Sequence, residues 1–381
     1  MTDQSNSIPA LRVRGDALRA GLYRVSPRSD GDILYLDRNE GPCAPEAAQW
    51  LAEVAADSDV RQYPDASGLE RELASRLDLP DGSVLVTAGG DEAIDRCARL
   101  VGGTGRRAIV PSPTFEMIPR ALRLSGCAVD EVEWPDEACF PIAAFRSALS
   151  PQTVLTALVS PDNPTGRMIP EDIVREVSAL HPEVVSLIDV AYREFDDRDL
   201  IATARTLPNT VCIGTFSKAY GLAALRVGYA VASPEVIAYL RACGGPFTVS
   251  ALSIAAATRM LCDTPQWIGE GIARVDRERT KLADLLRQGG WSVTQPHANF
   301  VFARRSDAAR VAHQLQQAGI VVRTFADPHL SDALRITCPG NAERFGRLER
   351  ALRGAAAIAG DAPALQDQAD VRHSCNQERT Q

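Results

Sequence analysis

Lysine is almost missing from this chain of 381 residues: it stands only at Lys218 and Lys281, and the rest of the 41 basic residues are arginines. That excludes an ordinary scatter of surface lysines, and it marks a surviving lysine as a place where an amine is needed. Lysine can give up its proton and form a Schiff base; a guanidinium cannot. An excess of positive charge is lacking too, since 49 acidic residues leave a net charge of −8, so no global field draws in nucleic acid or an anionic membrane. No run approaches the ~20 apolar residues of a membrane helix. The start, MTDQSNSIPA, lacks the apolar stretch of a secretory signal. Nine cysteines make no CxxC pair, from which a reduced, cytoplasmic interior is expected. The histidines, His181, His297, His313, His329 and His373, stand far apart with no Cys-His or HxxxH spacing, so no metal site is expected.

What is present is an ordinary globular composition, 45% hydrophobic and 24% charged, in a chain long enough for a large unit with a smaller partner. Between residues 83 and 232 the runs SVLVTA, RRAIVP, CAVDEVEW, TVLTALVS, EVVSLIDV, TVCIGT and RVGYAVA read as strands. Amphipathic stretches such as DEAIDRCARLV and PEDIVREVSAL separate them. The alternation predicts an α/β large domain with a mainly parallel sheet between helices. From about residue 250 long helical stretches lead to NFVFARR, GIVVRTF and DALRITC, which predict a smaller α+β domain. The expected division is 1–48, an N-terminal arm and part of the small domain; 49–250, the large domain; 251–360, the small C-terminal domain; and 361–381, a polar, aperiodic, disordered tail.

Four segments carry candidate chemistry. Lys218 follows a strand end in TFSKAYGLAALR, where Thr215, Ser217 and Arg226 add two hydroxyls and a guanidinium; the set suits a phosphate beside an aldehyde. Asp189 ends the apolar strand of LIDVAYREF, with Tyr192 three residues on. That edge of a parallel sheet is where open α/β folds place ligands, and a buried carboxylate there needs a cationic or protonated partner, although Asp189 alone also reads as a cap or turn residue. In VTAGGDEAIDRC a strand runs through Gly89 and Gly90 into a helix starting Asp91, Glu92, a geometry that offers N-H groups to a phosphate; an acidic first turn is also simple dipole compensation. Asn163 in SPDNPTG reads alone as a rigid turn.

In this order and spacing the segments resemble the fold type I, class I/II aminotransferases that use pyridoxal 5'-phosphate (PLP), and within them the histidinol-phosphate aminotransferase-like family. LDRNEGPCAP is similar to that family's LDxNENPxGP, RQYPDASGLEREL to its YP-containing segment, and VVRTF with ALRIT to its substrate-arginine region; the likeness runs from about residue 34 to 355. It implies PLP as cofactor, with Lys218 as the Schiff-base residue, Asp189 against the pyridine nitrogen, Asn163 and Tyr192 at the phenolic oxygen, and Phe115 stacked on the ring. Gly90, Asp91, Thr215, Ser217 and Arg226 would hold the phosphate, and Tyr63 would reach the cofactor of a second subunit, giving a homodimer with shared active sites. Arg335 would grip the substrate's carboxylate or phosphate, with Arg323 as a second anion contact and Asn39 and Tyr23 on the substrate side. The implied activity, in amino-acid biosynthesis, moves an amino group between histidinol phosphate or an amino acid and a 2-oxo acid such as 2-oxoglutarate. The alternatives are a specialised biosynthetic PLP enzyme (decarboxylase, oxidase or cyclase) and a noncatalytic PLP-binding regulatory protein. The chain departs from the pattern at Gly41 and Ala44, where the family has asparagine and glycine, at Ala224, where AGLR has become AALR, and at Tyr23, where a Pro-Tyr pair is usual.

Overall fold

The computed structural model describes residue 28 and residues 31–42, 47–57, 61–135, 139–263 and 266–357. Short runs of Val, Ile and Leu with no polar alternation need cover on both faces, and six of the seven strands between residues 83 and 232 obtain it in a single sheet, whose edge strand Ala128–Glu133 is polar and largely exposed. After a short strand β1 (Leu34–Leu36), the seven are β2 (Val84–Thr87), β3 (Arg107–Ser112), β4 (Ala128–Glu133), β5 (Thr153–Val159), β6 (Val185–Asp189), β7 (Thr210–Thr215) and β8 (Gly228–Val231), in spatial order β2-β8-β7-β6-β5-β3-β4. One face is covered by a core containing Ile94 and Cys97 of helix Gly89–Val101 and Ile118 and Leu122 of helix Met117–Leu124. The other packs under Phe145, Val174 and Phe216.

All neighbouring pairs are parallel except those of β8, which runs antiparallel to β2 and β7. Between β7 and β8 the chain has only the 3-10 turn Ala223–Leu225, too little for the helical crossover that a parallel return requires. The parallel strands therefore end together at Ser112, Val159, Asp189 and Thr215, and the returning segment 216–227 carries Lys218 along that same edge.

The C-terminal strands are β9 (Ser292–Val293), β10 (Phe300–Arg304), β11 (Ile320–Val322) and β12 (Ala333–Thr337). β12, β10 and β9 form an antiparallel sheet, and β11 pairs in parallel with β1, so residues 34–36 join the C-terminal unit. Its core includes Phe300, Val301, Leu315, Leu334 and Ile336. Helix Ala251–Asp263 still buries Ile254, Ala257 and Met260 in the core of the large sheet, and helix Gln266–Gln288 places Ile268 there but Val275, Leu282 and Leu286 in the second core. The change of sequence texture near residue 250 thus precedes the change of core, because periodicity shows which face of a helix is apolar and not which core receives it.

Among the described residues no helix is long and apolar enough to cross a membrane. Cys97, Cys127, Cys212, Cys243, Cys262 and Cys338 are free thiols, whereas Cys139 is disulfide-bonded, so the expectation of a fully reduced interior fails at Cys139. Tyr23 and the tail 361–381 lie outside the described residues.

Candidate functional site

A cleft of about 1670 Å³ opens along the edge where β3, β5, β6 and β7 end, walled on its far side by residues that follow β1 and β11 and by β12. Lys218 is half-buried in it. Its Nζ donates to the Arg38 carbonyl at 3.2 Å and lies 5.5 Å from the centroid of the Tyr192 ring. Burial, helped by the Arg335 charge, lowers its pKa to about 8. Asp189, the last residue of β6, is 5% exposed and accepts the Ala191 N-H at 2.9 Å. Burial outweighs that hydrogen bond and raises its pKa to about 7. A carboxyl in this state is one that a cationic group in the cleft would relieve.

Tyr192 follows at the turn after β6, where burial raises its pKa to about 12 and its hydroxyl accepts from Asn39 Nδ2 at 2.9 Å. Asn39 has a left-handed backbone, φ 53°, a conformation that asparagine tolerates better than most residues. Its backbone N-H donates to Thr337 Oγ1 at 3.1 Å and the Thr337 hydroxyl returns to Asn39 Oδ1 at 3.1 Å, while Asn299 Nδ2 donates to the Asn39 carbonyl at 3.2 Å. The segment 37–42 is thereby fastened to the small sheet.

Opposite lies an anion cradle. Helix Gly89–Val101 begins at the cleft with Gly90 and Asp91. Gly89 has φ +75°, and a Cβ there would stand 2.4 Å from Arg226 Nη2, so the guanidinium closes over bare backbone. Thr215 Oγ1 donates to Ser217 Oγ at 3.0 Å, and Arg226 reaches Ser217 Oγ at 3.4 Å and the Asp91 carboxylate at 3.1 Å. Glu92 does the structural work of the acidic turn, accepting the Ala88 N-H at 2.5 Å and holding Arg96 at 2.7 Å. Two hydroxyls, a helix start and a guanidinium in one place fit a phosphate.

Phe115 lies on the wall after β3, and Asn163, after β5, accepts from Arg335 Nη1. Arg335 on β12 also donates to the Asp37 carbonyl at 2.6 Å. Arg323, just after β11, is joined to Arg335 by two backbone hydrogen bonds of 3.0 Å and lines the same cleft. Of the expected site residues within the described chain, Tyr63 stands apart: it does not line the cleft, is 79% exposed, and stacks on Phe247 at 4.5 Å. Lys281 is far from the site, an exposed residue 3.8 Å from Glu349.

Three residues at or behind the site escape a reading of the sequence. Thr337 and Asn299 matter only as partners of Asn39, and Glu116 only as a partner of Arg323. Gly41 had a signal, the missing family asparagine: a Cβ at Gly41 would sit 1.5 Å from the Lys218 carbonyl oxygen, so the segment lies directly on the lysine's backbone. Taken together, a buried carboxyl facing the cleft, an amine, an aromatic wall and the glycine-backed anion cradle fit PLP.

Comparison with known proteins gives a match over residues 29–352 to the family Aminotransferase class I and II. The chain is similar to the aromatic amino acid aminotransferase of Streptomyces coelicolor, 31% identical over 87% of this chain and 94% of that protein. It is 32% identical to histidinol-phosphate aminotransferase 1 of Dechloromonas aromatica, over 84% of this chain and 90% of the relative. The crystal structure of histidinol-phosphate aminotransferase from Sinorhizobium meliloti in complex with pyridoxal-5'-phosphate superposes with a TM-score of 0.81 at 24% identity, covering 91% of this chain and 98% of the other. At that identity the likeness speaks to the fold, which is the fold type I arrangement expected from the sequence.

Proposed function

The chain belongs to the class I and II aminotransferases, enzymes that work with PLP, and we propose that its cleft binds this cofactor and moves an amino group from histidinol phosphate or an amino acid to a 2-oxo acid such as 2-oxoglutarate. One observation carries the reading: an amine brought down to about pKa 8 and a carboxyl brought up to about 7 line a single cleft beside an anion cradle. Such opposed shifts mark a functional site: the lowered one sets the Lys218 amine for proton transfer near neutrality, and the raised one marks a buried carboxyl that a cationic partner would return to its charged form.

In this reading the amides of Gly90 and Asp91, with Thr215, Ser217 and Arg226, hold the phosphate, Phe115 covers the ring, and Asn163 and Tyr192 hold its oxygen. Bound there, PLP supplies an electron sink for negative charge at the substrate's Cα. Asp189 sets a fixed negative charge against the ring nitrogen, which favours its protonated form. Arg335 grips the substrate carboxylate, leaving the Cα-H as the bond to break, and Lys218 Nζ takes up that proton. Asn39 orients the Tyr192 hydroxyl through its 2.9 Å hydrogen bond.

In this proposal residues 49–250 are the cofactor-binding domain, to which helix Ala251–Asp263 adds its buried face, and 1–48 with the rest of 251–360 are the arm and small domain. The exposed Tyr63–Phe247 stack supports a homodimer in which Tyr63 serves the second subunit's site. The six free thiols among the described residues support a reducing compartment, the cytoplasm, and the disulfide at Cys139 counts against it. Borohydride reduction of the holoenzyme and peptide mapping are expected to place the pyridoxyl group on Lys218, and Lys281→Arg to be silent; the label on Lys281 would sink the assignment. Oxo-acid product and carbon dioxide are measured together with a panel of donors. Carbon dioxide without stoichiometric amino transfer overturns the transfer reaction.

A further inference from the structure

The mouth of the cleft holds a charge pair that the reaction outlined above does not use. Glu116 precedes helix Met117–Leu124 in the large unit, Arg323 follows β11 in the small one, and Arg323 Nη2 donates to Glu116 Oε1 at 2.7 Å across the opening. Arg323 and Arg335 hang from hydrogen-bonded neighbouring strands, yet they meet different company. Arg335 donates to neutral oxygens, the Asn163 amide and the Asp37 carbonyl. Arg323 meets a full carboxylate. The cleft lining also includes Arg120 and Asp327, and beside the pair it carries an apolar patch: the Phe325 ring lies 5.9 Å from the Arg323 guanidinium and packs edge-on against Phe302 at 6.0 Å, with Leu330 also lining the cleft.

The geometry points to Glu116 as a specificity-determining residue: by neutralising Arg323 it suits the outer end of the cleft to substrates with a single negative charge and an apolar or aromatic side chain. The inference rests on the proposed reading of the cleft, in which Arg335 takes the carboxylate shared by all amino and oxo acids. A phosphate or second carboxylate arriving at Arg323 must displace Glu116 or share the guanidinium with it, and like charges so placed repel. An uncharged side chain leaves the pair intact and gains the face of Phe325. Among the oxo acids open to the proposed reaction, a dicarboxylate such as 2-oxoglutarate is therefore bound less tightly than one with an apolar side chain, because it binds only with Glu116 displaced.

The test uses two unreactive acids on cofactor-loaded protein, glutarate as the dianion and 3-phenylpropionate as the monoanion, with dissociation constants measured by calorimetry. The wild type is expected to prefer 3-phenylpropionate. In Glu116→Gln the ratio of the two affinities should move toward glutarate by roughly 5-fold at low salt and by less at high salt. The double variant Glu116→Gln with Arg323→Gln should lose that gain. The same preparations are reduced with borohydride: the label on Lys218 with an unmoved ratio overturns the role of Glu116 alone, and no label on Lys218 overturns the cofactor reading and this inference with it.

Discussion

A carboxyl that titrates near pH 7 in the folded chain and near 4 in the unfolded one makes stability depend on pH. Asp189 is such a group. Between those values the folded chain holds a proton that the unfolded chain has released, so this contribution is fully present below about pH 4 and is lost as the pH rises through about 7. Glu194 and Glu278, also raised to about 7 by burial, act in the same direction. The urea midpoint of the cofactor-free protein is expected to fall over that window, and Asp189→Asn to flatten the fall by up to roughly 4 kcal/mol. Identical pH profiles for the two proteins would count against a perturbed Asp189. Lys218 and Asp189 were legible because each carries its signal locally, one through scarcity and the other at the end of an apolar strand. Glu116 was not, since its meaning lies in an arginine 207 residues away.

The strands of the large sheet could be read from their β-branched runs, but which of them would run backwards could not. That followed from the shortness of the β7–β8 return, and it brings Gly214 opposite Tyr229 in the antiparallel register. A Cβ on Gly214 would stand 2.3 Å from Tyr229 Cζ, and the ring is buried, with Arg193 Nη1 3.4 Å from its hydroxyl. Gly214→Ala is expected to cost about 1–3 kcal/mol by overpacking, read from the urea midpoint. It should also loosen cofactor retention, because Gly214 adjoins Thr215 and the Lys218 turn. An alanine variant as stable as the wild type would mean that the ring has room to give. No residue pattern along the chain announces such a contact, because it exists only once two strands are in register.

At the scale of the molecule, the two cores share helix Gln266–Gln288 and meet around the cleft. Tyr63 is the site residue least explained by one chain, standing outside its own cleft in a stacked pair with Phe247. If the proposed dimer forms, Tyr63→Phe keeps that stack and removes only a hydroxyl aimed at the neighbouring cofactor. PLP retention on dialysis is then expected to fall by about 10-fold, the worth of a hydrogen bond to a charged group, with the urea midpoint almost unmoved. Equal retention by wild type and variant would argue that each chain holds its cofactor unaided. A last consequence follows from the segment 37–42. Its Pro42 ring lies against the bare backbone of Gly271 and Gly340, where a Cβ would stand 3.0 Å and 3.5 Å from it, and its Gly41 rests on the Lys218 carbonyl. The oxygen that receives the Lys218 amine belongs to the same stretch. Six residues of backbone, with no side chain to cushion Gly41, thus couple the seating of one domain to the proton affinity of an amine in the other, turning a mechanical position into a chemical strength.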